Sequence, residues 1–344
     1  MLEASTEELF FRFPDVHDEA IGTVTFHRTL RIPDDNNEYP LPAGIGEFPI
    51  YHVDDYSEKL PSEWTKRGGV FLPMHQCEAL WISFDGQYPM AIKVAAGKID
   101  AVSGEGWSES IHSDPQDYVV LTEQPWLDGF NVGDALIRQF VAMPLGAGFT
   151  AEEQLTGKAE FGGIQFWVCP LKAEIYEEKI RKPRLEAERL AAEERSRGWE
   201  TLKMAQCEFD DHMMEYDMGL SPGGLMRQKI YRDHFGLEAW NQGANSRCFV
   251  HLINSTQFSS VTGKPAPTTP ITPLEYAAQG IPWFEHYAEN ESDIAAAKQL
   301  AGLDSIAAMR IKRGLGPQPD NDSIVDYLSK NPNVLGRGVQ QSDF

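Results

Sequence analysis

The sequence predicts an α+β fold built as an antiparallel, β-sandwich-like N-terminal domain, a charged helical connector and a smaller mixed α/β C-terminal domain. Three observations carry this prediction. Short alternating apolar segments separated by turn residues fill the first 170 positions. Lys172–Arg197 then places 15 charged residues among 26 without a glycine, and beyond Gly198 helix-capping signals alternate with strand and loop signals. The boundaries that follow are 1–170 for the β-rich domain, 171–198 for the connector, 199–310 for the mixed domain, and 311–344 for an irregular tail holding one short helix.

The strand period is clearest in Thr23–Ile32. Val24, Phe26, Leu30 and Ile32 share one side, while Thr23, Thr25, His27, Thr29 and Arg31 share the other, which is the signature of a half-buried strand. Arg28 interrupts the apolar side and therefore needs an edge position or a partner. Phe10–Phe13, Phe48–Val53, Ala79–Phe84, Met90–Ala95, Ile99–Ser103, Tyr118–Leu121, Ile137–Met143 and Ile164–Cys169 read as further strands. Turn chemistry at Asp85-Gly86, Ala96-Gly97-Lys98 and Gly162-Gly163 separates many of them. Only Pro61–Lys66 and Thr150–Leu155 read as helical there, the second opened by a Thr150/Glu153 capping box.

The connector reads as a helix about 39 Å long if continuous. Tyr176, Ile180, Pro183, Ala187 and Leu190 form a narrow apolar stripe on it, with Pro183 an expected bend. Such a polar helix gains little from its own packing, so it is expected to act as a spacer or as a brace against one domain. Trp199–Tyr216 has the spacing of an amphipathic helix, stopped by a loop at Gly219-Leu-Ser-Pro-Gly-Gly224. Arg247–Ile253 reads as a strand and Thr262–Thr272 as a Pro/Thr-rich loop. Thr272-Pro273-Leu274-Glu275 combines an N-cap, a Pro at N1 and a Glu at N3, so a helix starts there and ends near Gly280. Ser292–Leu300 and Ser323–Lys330 complete the expected helices.

The formal charge is −22. The connector holds eight basic and seven acidic residues, so the rest of the chain carries −23. That balance argues against nucleic acid as a partner, because phosphate backbones are bound mainly by Lys and Arg. No apolar run approaches the roughly 20 residues of a membrane span. The N-terminal residues lack the basic start and apolar core of a signal peptide. Cys77, Cys169, Cys207 and Cys248 are too scattered for a disulfide framework, which places the chain in the cytoplasm as a soluble, acidic protein with reduced thiols.

No P-loop, dinucleotide-binding, GxSxG, HExxH or EF-hand pattern occurs. The densest reactive cluster is Glu208, Asp210, Asp211, His212, Glu215 and Asp217. Helical spacing sets Glu208 beside His212 and Asp211 beside Glu215, half of a carboxylate/His site for a divalent metal, with Asp233, His234 or His251 as candidates to complete it. His75 and Cys77 lie two apart, as a Cys/His nucleophilic pair on one strand face would. Trp126 and Asp128, with Trp107, Tyr118 and Trp167 in the same half, offer stacking platforms for a sugar or other small ligand. Trp240, Trp283 and His286 form an aromatic patch that can anchor a partner.

The expected function is a binding or assembly protein that contacts a protein partner or self-associates. A metal-assisted hydrolase with an inter-domain carboxylate/His site is the first alternative. A cytosolic carbohydrate or small-ligand binder is the second.

Overall fold

The computed structural model describes residues 1–35, 37–186, 217–284, 294 and 297–315. It is mostly antiparallel sheet with a few helices. The strands join as an open sheet instead of the expected sandwich-like pair. One run of the sheet follows β1 (Leu2–Ala4), β2 (Glu8–Arg12), β3 (Ile21–Thr29), then β5 (Ala79–Asp85), β8 (Leu136–Pro144) and β10 (Met218–Arg227), every neighbouring pair antiparallel. A second run follows β6 (Met90–Ala96), β9 (Ile164–Pro170), β11 (Ser246–Asn254) and β4 (Val70–Met74), the last pair being parallel. Met218 opposite Leu252 joins the two runs. The remaining labelled strand, β7 (Gly129–Gly133), forms a hairpin with β8. Strands β10 and β11, which the sequence reading assigns to the second domain, thus pair with strands of the first. Phe26, Phe166, Leu220 and Val250 belong to one buried cluster.

Local chemistry explains why these segments fold as they do. Ala96 pairs with Ile99 across Gly97 and Lys98, whose φ angles are 58° and 61°. Two consecutive left-handed residues are what a type I′ hairpin turn requires. Thr150 caps helix α2 (Ala151–Thr156) through the expected reciprocal box with Glu153. Thr272 does the same with Glu275 for helix α5 (Pro273–Ala278). Helix α1 (Ser62–Arg67) follows Pro61, and helix α4 (Ser255–Thr262) is capped by Asn254. The Glu152 carboxylate, buried on α2, accepts the backbone N–H groups of Glu160, Phe161 and Gly162 at 2.8, 2.9 and 2.8 Å. That pins the loop leading into β9.

Two strands depart from the sequence reading. Gly219–Gly224, expected as a loop, lies inside β10, where Ser221 pairs with Val141 and Pro222 with Phe140. A register shift at this point accommodates the proline, whose missing N–H is tolerated at a bulge. The glycines serve close approach: a Cβ on Gly224 would lie 2.1 Å from the Pro33 carbonyl oxygen, and one on Gly223 would lie 2.6 Å from Val141. The second departure is β4, buried along its whole length. Its run Val-Phe-Leu-Pro-Met shows no alternation because both of its sides face protein.

The connector is helical from Ala173 to residue 186, with helix α3 (Ala173–Tyr176) passing into a π-turn at Glu177–Arg181. The backbone N–H of Lys182 reaches the Glu177 carbonyl, a wider loop than the α-helical one. This widened turn lies just before Pro183, which lacks the N–H to bond residue 179 and would crowd its carbonyl in a regular helix. Tyr176 is fully buried and its hydroxyl donates to Glu19. Glu19 also holds Arg181 at 3.0 Å and Arg184 at 2.7 Å, while His17 meets Glu177 at 3.0 Å. The described part of the connector is therefore a brace against the loop between β2 and β3.

The expected helix over Trp199–Tyr216 and the one over Ser323–Lys330 lie outside the described residues. Of the expected Ser292–Leu300 helix, the described part is helical at Lys298–Ala301. The last described helix is α6 (Ile306–Lys312). Among the described residues no helix is long and apolar enough to cross a membrane.

Candidate functional site

Two groups of residues on opposite sides of β3 and β5 stand out. The outer side carries the residues that alternate away from the core. His27 lies opposite Trp81, and Glu47 of the short strand Gly44–Glu47 lies opposite His27. One step along, Glu8, Thr25, Ser83 and Trp126 stand in a second row. The His27 ring stacks on the Trp81 indole at 3.9 Å and 15°, and its Nε2 lies 2.7 Å from Ser83 Oγ. Trp126 meets Trp81 edge to face at 6.4 Å and 69°. His27, Trp81 and Trp126 are all half-buried.

The electrostatics of this face are acidic. Burial pulls His27 down to about 4, so its ring is neutral near pH 7. Partial burial raises the carboxyl pKa of Glu47, with the neighbouring Glu7 and Glu8 carboxylates adding to the shift. A Cβ on Gly44 would lie 3.1 Å from the Trp81 ring, so the glycine lets the backbone lie against the indole. The Trp81 Nε1–H is shielded from solvent and has no acceptor among the described residues.

The inner side holds a buried polar cluster. Arg28 finds the partner its position demands in Glu78, with Nε 2.7 Å from Oε1. The second Glu78 oxygen accepts the His75 backbone N–H at 2.8 Å. His75 Nδ1 lies 2.8 Å from Ser255 Oγ, and its Nε2 lies 3.1 Å from the Pro267 carbonyl oxygen. Arg28 also donates from Nη1 to Thr268 Oγ1 and from Nη2 to the Thr268 carbonyl. Arg28, Glu78, His75 and Ser255 are all buried. Between His75 and Glu78, Cys77 takes a φ of 67°, an unfavourable angle for a residue with a Cβ.

The sequence-predicted site residues fall in different places. Trp126 lies on the outer face described above. Asp128 does not reach a ligand surface, being 3% exposed with Gln228 Nε2 at 2.6 Å from its Oδ2. Burial pushes its carboxyl up to about 7. Trp240 is buried, and its Nε1 donates to Asp233 at 2.9 Å. Tyr118 donates to the same carboxylate at 2.6 Å. Trp283 is buried against Tyr276 with ring centroids 5.3 Å apart. Tyr118 and Trp167 belong to the core. His286, Glu208, Asp211, His212 and Glu215 lie outside the described residues.

The expected completing ligands are dispersed. His234 sits 2.9 Å from Glu123, and Asp233 serves Tyr118 and Trp240. Asp217 accepts from Trp64 Nε1 at 3.1 Å, and burial raises its carboxyl to about 6. His251 is stacked between Trp64 and Phe249, each at 4.3 Å, and burial lowers it to about 3. Among the described residues no group of three His, Cys, Asp or Glu side chains converges as a metal site. Cys169 and Cys248 are buried free thiols, and Cys77 is half-buried with its Sγ 3.6 Å from Met143 Sδ.

Sequence reasoning passed over Trp81, His27 and Ser255. A signal existed for the first two, since Trp81 alternates with Ser83 and Asp85 on the polar side of its strand. The contact of Ser255 with His75, 180 positions away, had none. Comparison with known proteins returned no matching family model, curated protein or solved structure.

Proposed function

We propose that this is a binding protein and that the outer face around Trp81 and Trp126 is its contact surface for a basic protein partner. The observation that carries this reading is the pair of half-buried indoles on the side of the sheet where alternation otherwise places Thr, Ser and acidic residues. Aromatic anchors of this type dominate contact energetics. Glu8, Glu47 and Asp85 share this face, and the chain as a whole carries −22. A lysine or arginine laid across an indole gains about 0.5–2 kcal/mol, and the flanking carboxylates add to it. A second copy of the chain would bring the same carboxylates, which opposes self-association through this face.

The test is a titration of the full chain with an arginine-rich peptide, followed by tryptophan fluorescence. Saturable binding that weakens with salt and disappears in Trp126→Ala supports the reading. Saturable binding of a neutral oligosaccharide, with none of the peptide, transfers the face to a carbohydrate-binding role. Failure of both ligands removes the proposal.

A further inference from the structure

We propose that Ser255 and His75 form the nucleophile and general base of an acyl-transfer site, closed by the strap 263–272 in the state described. The neighbours of His75 fix which ring nitrogen holds the proton. The Pro267 carbonyl is only an acceptor, so His75 Nε2, 3.1 Å away, carries the ring proton in the neutral imidazole. That leaves Nδ1 as an acceptor, and the Ser255 hydroxyl donates into it at 2.8 Å. A serine donating to an imidazole whose far nitrogen is fixed by a third group is the arrangement that activates a hydroxyl.

The Arg28 fork holds the strap over this pair. Its two Nη donors engage the two Thr268 oxygens, the side-chain hydroxyl and the carbonyl. The strap thus occupies a hydrogen-bond-donor position adjoining the Ser255–His75 pair, and because Glu78 already balances the Arg28 charge, the substrate class is an uncharged ester with a second carbonyl or hydroxyl oxygen that takes the place of Thr268. Glu78 is a positioning residue, since it ties the Arg28 guanidinium to the His75 backbone. The left-handed Cys77 holds this turn together: its N–H donates to the Ala142 carbonyl at 2.8 Å, and Ala142 N–H donates to the Glu78 carbonyl at 2.8 Å.

The step balances without any redox partner. Ser255 Oγ forms a bond to the ester carbonyl carbon while its proton passes to His75 Nδ1. The ester C–O bond breaks, and His75 returns that proton to the leaving alkoxide, releasing an alcohol. Water then attacks the acyl-Ser255, giving up a proton to His75. The acid leaves, and Ser255 recovers its hydrogen.

The experiment treats the full chain with an alkyl fluorophosphonate and maps the adduct by mass spectrometry. Ser255 is expected to carry it. His75→Gln is expected to slow labelling by about 100-fold or more, the usual weight of a general base. Thr268→Ala is expected to speed labelling several-fold by freeing the strap. Circular dichroism of each variant separates loss of fold from loss of reactivity, and adduct mapping in the unaltered chain needs no variant. Absence of a Ser255 adduct in both the unaltered chain and a folded Thr268→Ala overturns the proposal. So does labelling of Ser255 that a folded His75→Gln leaves unchanged. Neither result bears on peptide binding at the Trp81 face, which uses different residues.

Discussion

His27 and Arg28 are neighbours in the chain and point to opposite sides of the same strand. His27 meets Trp81 and Ser83 on a half-buried surface, and its ring is neutral near pH 7. Arg28 is 8% exposed and its guanidinium is bonded to Glu78 and Thr268. The difference teaches where polar groups are constrained. On the outer side water remains nearby to compensate for imperfect contacts. On the inner side every charge needs a protein partner, because burying an unpaired one costs several kcal/mol.

The sharpest way to break this comparison is to remove a partner on each side. Glu78→Ala leaves Arg28 buried without its carboxylate and is expected to cost about 3–5 kcal/mol in urea denaturation. His27→Ala is expected to cost about 1 kcal/mol, in line with an ordinary half-buried substitution. Equal losses would show that the two sides do not differ as described.

A second experiment contrasts the paired inner carboxylate Glu78 with one that has no cation beside it. Asp128 is held by Gln228 alone among the bonds described, and burial raises it from 3.8 to about 7. Its contribution to stability is therefore fully present below about pH 3.8 and is lost as pH rises through 7. The shift corresponds to roughly 4 kcal/mol at most. Asp128→Asn keeps the shape without the charge. Its stability relative to the unaltered chain should therefore improve from pH 4 to about pH 7 and level off above that, as read by thermal melts. Acid destabilisation below pH 6.5 should persist in both proteins, since His27 and His251 are held neutral in the fold and must gain protons on unfolding. A flat difference between the two curves would mean that Asp128 ionises without penalty.

The smallest effect sharpens the comparison from outside both faces. Thr150→Ala removes the hydroxyl that accepts the Glu153 N–H at 3.2 Å and should cost about 1 kcal/mol. Peptide binding at Trp126 and fluorophosphonate labelling at Ser255 should both be unchanged in that variant. A loss of either would tie α2 to the corresponding site.

The legible parts of the fold were those settled by neighbours in the chain. Alternation in Thr23–Ile32 assigned both sides of β3, including the demand of Arg28 for a partner. The capping boxes at Thr150 and Thr272, and the turn at Gly97-Lys98, form where their residue types place them. Legibility failed where a residue type had two physical uses. Glycine and proline at 219–224 signal a turn when read locally, yet here they admit the Pro33 carbonyl and the Val141 side chain against a bulged strand. Of the candidate site, Trp126 was legible as an aromatic in a β region. The burial of Asp128, Trp240 and Trp283 was not, because exposure depends on what packs over a residue.

By itself, the sequence determined the strand-rich first half, the helical start of the connector at 173–186 and the net charge of −22, since period, capping and charge are local or summed properties. Only the tertiary structure decided that Glu78 answers Arg28 from 50 positions away, that Ser255 meets His75, and that β10 and β11 join the sheet of the first half. Those contacts depend on register and chain path, which no local pattern encodes.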